Sequence, residues 1–223
     1  IDLRQTRVDL RGELKLGGLF ESLQLRGAYG DYQHVELENG EAGTRFAGDG
    51  IEARADLVQA KHGGWRGRSG VQLFSRKLSI QGAEAFVPDN SIARWGIFTL
   101  QSYRLGKVEI EAAGRYEHVT VKAEPADFRR GFALWSGALG LSYVLSDGLK
   151  LGANYTRGAR APAPEELLSD GLHVATQAFE RGNPGFRSET SDGFEAYLRY
   201  DGDRASFSLT GYVTRFGNFI AAL

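Results

Sequence analysis

RVDLRGELKL, residues 7–16, alternates greasy and charged side chains almost without a break. Val8, Leu10, Leu14 and Leu16 share one parity, while Arg7, Asp9, Arg11, Glu13 and Lys15 share the other. A strand sends successive side chains to opposite faces, so this stretch is one apolar surface backed by a charged one. The pattern recurs along the chain. Trp95, Ile97, Thr99 and Tyr103 form one face of a later strand, as do Leu139, Leu141 and Tyr143, and Phe194, Ala196, Leu198 and Tyr200. Their opposite faces are polar. Glu109, Glu111, Arg115 and Glu117 back Val108, Ile110, Ala112 and Tyr116, and Ser206, Ser208, Thr210 and Tyr212 back Phe207, Leu209 and Val213.

The pattern gives about ten strands, 2–16, 22–37, 46–61, 68–79, 93–104, 107–120, 132–145, 149–157, 188–200 and 205–219. Short turns near 17–18, 62–67, 105–107, 146–148 and 201–204 alternate with longer segments near 38–45, 80–92, 121–131 and 158–187. Each strand is therefore expected to pair antiparallel with its sequence neighbour. Short turns at one end and long loops at the other are the pattern of a transmembrane β-barrel, its short turns facing the periplasm. Tyr103, Tyr143 and Tyr200 lie just before short turns on the apolar face, with Phe20 and Trp65 in such turns, as an interfacial aromatic girdle requires. A soluble β-sandwich would have to turn its charged rows to water. A wide barrel accepts them in its lumen.

Composition agrees. The chain of 223 residues has 30 Gly, 5 Pro and 11% aromatics, suiting a β-protein with many turns. A net charge of −1 gives no sign of a nucleic-acid partner. Without Cys there is no disulfide, thiol nucleophile or cysteine metal cage. No apolar run is long enough for a spanning helix, which leaves a spanning barrel open. Met is absent and the chain opens on Ile1, so a processed chain or an internal fragment is expected.

Residues 154–200 carry the specific signal. Tyr155-Thr156-Arg157 ends a strand, Arg160-Ala161-Pro162-Ala163-Pro164-Glu165-Glu166-Leu167 follows, and Gly182-Asn183-Pro184 and Glu189-Thr190-Ser191 lead into the next strand. In this order the elements resemble the barrel region of TonB-dependent outer-membrane receptors. Gly114-Arg115-Tyr116-Glu117 and Phe216-Gly217-Asn218-Phe219-Ile220 look like strand ends of the same family. Residues 32–57, 82–88 and 171–183 look like its zinc-uptake branch. The resemblance implies an all-β antiparallel meander of about ten strands within a 22-stranded transmembrane barrel. It implies a partial barrel domain over 1–223, with the plug and remaining strands absent. The implied protein sits in the bacterial outer membrane among its lipids. It takes up a scarce metal or metal chelate and couples through the absent plug to a TonB-type complex. Zinc is then transported cargo, and no resident cofactor is firmly implied.

No catalytic constellation stands out, so an enzyme is not expected. Glu165-Glu166 and Glu109/Glu111 are paired carboxylates with nothing to make one an acid and the other a base. Imidazole suits a metal such as zinc, and His34, His118 and His173 fall toward the long-loop side, with His62 at a short turn. Glu36, Glu38, Glu117 and Asp170 are candidate carboxylate neighbours. No tight ligand spacing joins these His, and solvated loop histidines are the plainer reading. Arg157, Arg160 and Arg181 are candidate contacts to an anionic ligand such as a metal chelate, or simply keep their loop soluble. A passive porin and a soluble β-sandwich binding protein remain the alternatives.

Overall fold

The computed structural model describes residues 2–38, 41–82, 85–124, 126–173 and 178–221, and for Leu37, Glu38, Glu41, Ala42 and His173 the backbone alone. The alternating segments form strands β1 (Asp2–Lys15), β2 (Phe20–Glu38), β3 (Glu41–Gln59), β4 (Trp65–Gln81), β5 (Asn90–Leu105), β6 (Val108–Ala123), β7 (Phe128–Ser146) and β8 (Leu149–Arg160). Helix α1 (Pro164–Leu168) follows, then β9 (Asp170–His173), β10 (Ala178–Arg181), β11 (Glu189–Asp201) and β12 (Ser206–Gly217). Ten strands make one antiparallel sheet in the order β1-β2-β3-β4-β5-β6-β7-β8-β11-β12. The expected meander is therefore present, and β9 and β10 form a separate two-stranded hairpin. None of the helices described is long and apolar enough to cross a membrane, which says nothing of crossing by strands.

The connections differ from expectation at the long-loop end. Pairing continues to Glu38↔Glu41, so most of 38–45 is strand. Likewise β4 runs on to Gln81 and β6 to Ala123. The sequence signal missed was Asn39-Gly40 between two runs able to pair, a strong hairpin dipeptide. Only the connection from β8 to β11 stays long, and it holds α1, β9 and β10. At the other end the turns are tight. Gly106 and Gly148 adopt φ of 59° and 74°, a left-handed conformation that costs glycine no steric clash.

Both faces keep the predicted parity. Leu139, Leu141, Phe194, Phe207 and Leu209 are exposed on the apolar face. The polar face carries a charged lattice. Near the short turns the buried Glu109 accepts hydrogen bonds from Arg104 (2.8 Å), Arg66 (3.1 Å) and Ser102 (3.3 Å), with Lys150 3.5 Å away. The fully buried Asp56 accepts two 2.8 Å bonds from Arg54. Arg115 donates to Glu117 and Gln72.

Toward the long loops the same polar parity turns greasy. Ile92, Val119, Val121, Phe132 and Leu134 form a buried cluster closed by Leu167 of α1. The core of the described chain thus lies at one end of the wall, on the face that elsewhere is charged. Sequence reading assigned that whole parity to polar contacts and missed this collar.

Aromatic rings mark both ends of the apolar face. Trp65 pairs with Tyr103 near the short turns, with Tyr143 and Tyr200 further across the sheet. At the other end Trp95, Tyr116 and Trp135 pack in sequence, with centroids 5.4 Å and 4.6 Å apart. On β5 the two belts are eight residues apart, about 26 Å of strand and about 20 Å of height at a tilt of about 40°. Neither belt follows the hydrogen-bonded rows. Tyr103 pairs with Ile110, but Tyr143 pairs with Val108, two residues nearer the turn. Tyr116 pairs with Trp135, but Tyr155 pairs with Leu139, four residues nearer the turn. Both belts step the same way, as level belts do on tilted strands.

Candidate functional site at the long-loop end of the wall

The built part of this end is the β8–β11 connection, folded back over the collar. Its start follows from local chemistry. Pro164 fixes φ at the first helical position, where its missing N–H costs nothing. Glu166 reaches back to accept the Ala163 N–H at 2.8 Å. Pro162, Pro164 and Leu167 are fully buried.

Arg160, the last residue of β8, clamps this turn. Its guanidinium donates to both Glu166 oxygens at 2.8 and 2.9 Å and to Glu189, the first residue of β11, at 3.2 and 3.3 Å. Glu189 also accepts the Ile220 N–H at 2.9 Å. One arginine therefore ties two strands, the helix and the exit from β12. Burial pushes the Glu166 carboxyl up, but the bond from Arg160, the Ala163 N–H and the Arg160 charge outweigh it and hold the group below the usual glutamate range.

Further bonds fix the rest. Asn183 N–H donates to the Glu166 carbonyl at 2.9 Å, and Arg130 donates to the Phe186 carbonyl at 2.8 Å and to that of Pro184. Asp170 N–H donates to the Phe86 carbonyl at 2.8 Å, joining this connection to the one between β4 and β5. Arg76 of β4 faces Glu165 at 3.8 Å. The base is thus rigidly docked, while the hairpin leaves Leu172 and Phe179 exposed opposite each other.

The predicted site residues scatter. His34 stacks on Phe46 (centroids 4.3 Å apart, 7° between planes), with its Nε2 3.5 Å from Glu36. Its Nδ1 is buried without a hydrogen-bond partner. It lies on the polar face of β2. His118 lies on the apolar face of β6, beside Trp95 in register. The two imidazoles sit four strands apart on opposite faces and do not converge. His173 ends β9 opposite Ala178, and its side chain lies outside the described residues. Among the described residues no three His, Asp or Glu group closely enough to hold a metal.

Arg160 spends its donors on the clamp. Arg181 lies opposite Asp170 in the hairpin. Arg157 projects from the apolar face, bonded to Asp192 at 2.9 and 3.0 Å. Sequence reasoning quoted Glu166, Leu167 and Glu189 without giving them a place in the site, and missed Arg130. The signal available was Pro164-Glu165-Glu166, a proline followed by acids at a helix start.

The family model described as "TonB dependent receptor-like, beta-barrel" matches residues 2–223. The chain belongs to that family. Solved structures agree on the fold. The chain is similar to the copper transporter OprC, with 14% identity over 95% of this chain and 38% of that one, at a TM-score of 0.77. It is similar to a double mutant of the Serratia marcescens hemophore receptor HasR, solved with its hemophore HasA and heme (17% identity, 96% of this chain, 39% of that one, TM-score 0.77). It is also similar to a mutant of the ferric enterobactin receptor PfeA from Pseudomonas aeruginosa (16% identity, 96% and 34%, TM-score 0.75). The chain spans between a third and two fifths of the length of each of these proteins.

Proposed function

We propose that this chain is part of the barrel wall of an outer-membrane receptor that imports a scarce metal or metal chelate by energy coupling, and is not an enzyme. The observation that carries this reading is the family match over nearly the whole chain, on a wall with one apolar face belted at both ends and one charged face. The apolar face meets outer-membrane lipid and the charged face lines the lumen. The docked connection from Ala161 to Ser188 then lies at the outer mouth. The names of the similar proteins, a copper transporter, a heme-bound hemophore receptor and a ferric enterobactin receptor, support metal-linked cargo as a class.

Zinc is our finer proposal for the cargo. It rests on the likeness of 32–57, 82–88 and 171–183 to the zinc branch. His173, on the hairpin carried by the mouth connection, is the first ligand candidate, and His34 on the lumenal parity the second. His118 drops behind both, because its parity faces lipid. Arg181 is the candidate contact for an anionic chelate. A plug and a TonB-type complex, outside this chain, complete the machine.

The test is uptake by cells carrying the complete receptor, offered zinc, copper, heme or a ferric chelate with and without an energised inner membrane. Accumulation of one of these only when energised is expected. Equal accumulation in both states marks a passive pore and overturns the reading. Histidine at 173 is then replaced by Ala. A loss of zinc binding with the barrel intact is expected, and unchanged binding removes His173 from the proposal.

A further inference from the structure

We propose that Arg157 and Arg215 form a phosphate-binding site on the outside of the wall, whose occupant is a phosphorylated lipid of the outer leaflet. The proposal rests on the membrane reading above. Three adjacent strands supply one hydrogen-bonded row on the apolar parity, with Arg157 of β8 opposite Asp192 of β11 and Asp192 opposite Arg215 of β12. Two cations flank one acid, so the row carries a net positive charge. The residues around it on this face are Gly137 and Ala159, Thr190 and Gly217, none of them acidic.

The level of the row decides the occupant. One step inward on the same strands lie Tyr155, Phe194 and Val213, the last members of the exposed apolar band. The row therefore begins where the band ends and phosphate headgroups begin. A peptide or a soluble metabolite would not meet a surface whose inward neighbours face hydrocarbon.

The geometry is prepared for an anion. Asp192 accepts from the Tyr155 hydroxyl at 2.6 Å and from Arg157 at 2.9 and 3.0 Å. That contact employs one nitrogen of Arg157 and holds the guanidinium against the wall, leaving its other N–H groups for a ligand. Arg215 forms no ion pair among the described residues. The Thr190 hydroxyl lies over the next row out, 2.8 Å from where a Cβ on Gly217 would stand. Guanidinium pairs bind phosphate through parallel N–H bonds, and a headgroup bridging Arg157 and Arg215 satisfies both. This also accounts for Arg157, which sequence reading offered as a contact to an anionic ligand or a solubilising loop charge and which points away from the lumen.

The test uses the complete receptor in mild detergent, with native mass spectrometry and diphosphoryl lipid A as the probe. The unaltered receptor is expected to retain the lipid. Arg157→Gln with Arg215→Gln is expected to lower retention about tenfold or more, the worth of one to two lost charge-assisted bonds. The charge-matched control Lys107→Gln with Arg204→Gln, in exposed short turns at the other end, is expected to retain it fully. Equal retention by the arginine variant overturns the site, as does equal uptake of dephosphorylated lipid A by the unaltered protein. Heat-modifiable migration of every variant reports barrel formation separately. A receptor that forms its barrel but ignores phosphate defeats this inference alone, and one that never enters a bilayer defeats the membrane reading beneath it.

Discussion

Arg160 has its work decided by neighbours that only the fold supplies. From sequence it was one of several loop arginines available to an anion. In the structure it holds Glu166 and Glu189 and so fixes the mouth connection to two strands. Arg160→Ala leaves Glu166 without its main side-chain donor and Glu189 with the Ile220 N–H alone. Because Arg160 is 42% exposed, water softens the loss to about 1–2 kcal/mol of local stability. Faster hydrogen exchange at the Leu167 and Ser169 amides in the complete receptor is the expected readout, with the wall strands unchanged. The clamp also sets a pH dependence. The folded Glu166 carboxyl titrates below its unfolded value, so the unfolded segment binds more protons in between. Its contribution is full above the unfolded glutamate value of about 4.3 and is lost as pH falls through the lower folded value. Exchange at α1 is expected to rise on acidification below that range, and Glu166→Gln is expected to flatten this response. An α1 equally protected in both proteins across the range would assign its docking to Leu167 and the prolines instead.

At the scale of the strand, parity was the legible quantity. RVDLRGELKL gave the two faces because strand geometry has a period of two whatever surrounds it. Register and neighbour pairing followed from short turns. What sequence left unread depends on contacts distant along the chain. Val119 and Val121 share parity with Glu109 and Glu111, and only the arrival of Leu167 makes them core. The same holds for His118 and Arg157, placed correctly toward the long-loop end but counted as site residues without regard to which face they leave from. Parity also makes a direct test. Leu139 lies between Trp135 and Tyr143 on β7, mid-height on the apolar band. Leu139→Arg is expected to cost about 2–4 kcal/mol in the complete barrel, the penalty for a cation facing hydrocarbon at that depth. Thr156→Arg, on the polar face of the next strand, is expected to cost less than about 1 kcal/mol. Reversible unfolding in lipid measures both, and equal costs would dissolve the assignment of faces.

At the scale of the molecule, area shows that this wall is not self-sufficient. The chain exposes 14981 Å². A compact globule of 24.4 kDa exposes about 10,000 Å². The excess of about 5,000 Å² is what a sheet with both faces uncovered must show, and much of it is apolar: Leu10, Leu209, Val213 and Phe207 are all more than half exposed. Water cannot tolerate that much contiguous apolar surface without association. The edge strands β1 and β12 add two rows of unpaired backbone groups that template further pairing. The collar does not compensate, because it gathers only six buried hydrophobic residues at one end. The 223-residue segment made alone is therefore expected to aggregate in detergent-free buffer, whereas the complete receptor in detergent runs as a discrete, heat-modifiable barrel. Light scattering of the refolded segment with and without detergent decides it. A stable detergent-free monomer with protected β1 and β12 amides would mean that the chain closes on itself, and the lipid-facing role of its apolar parity would fall with that result.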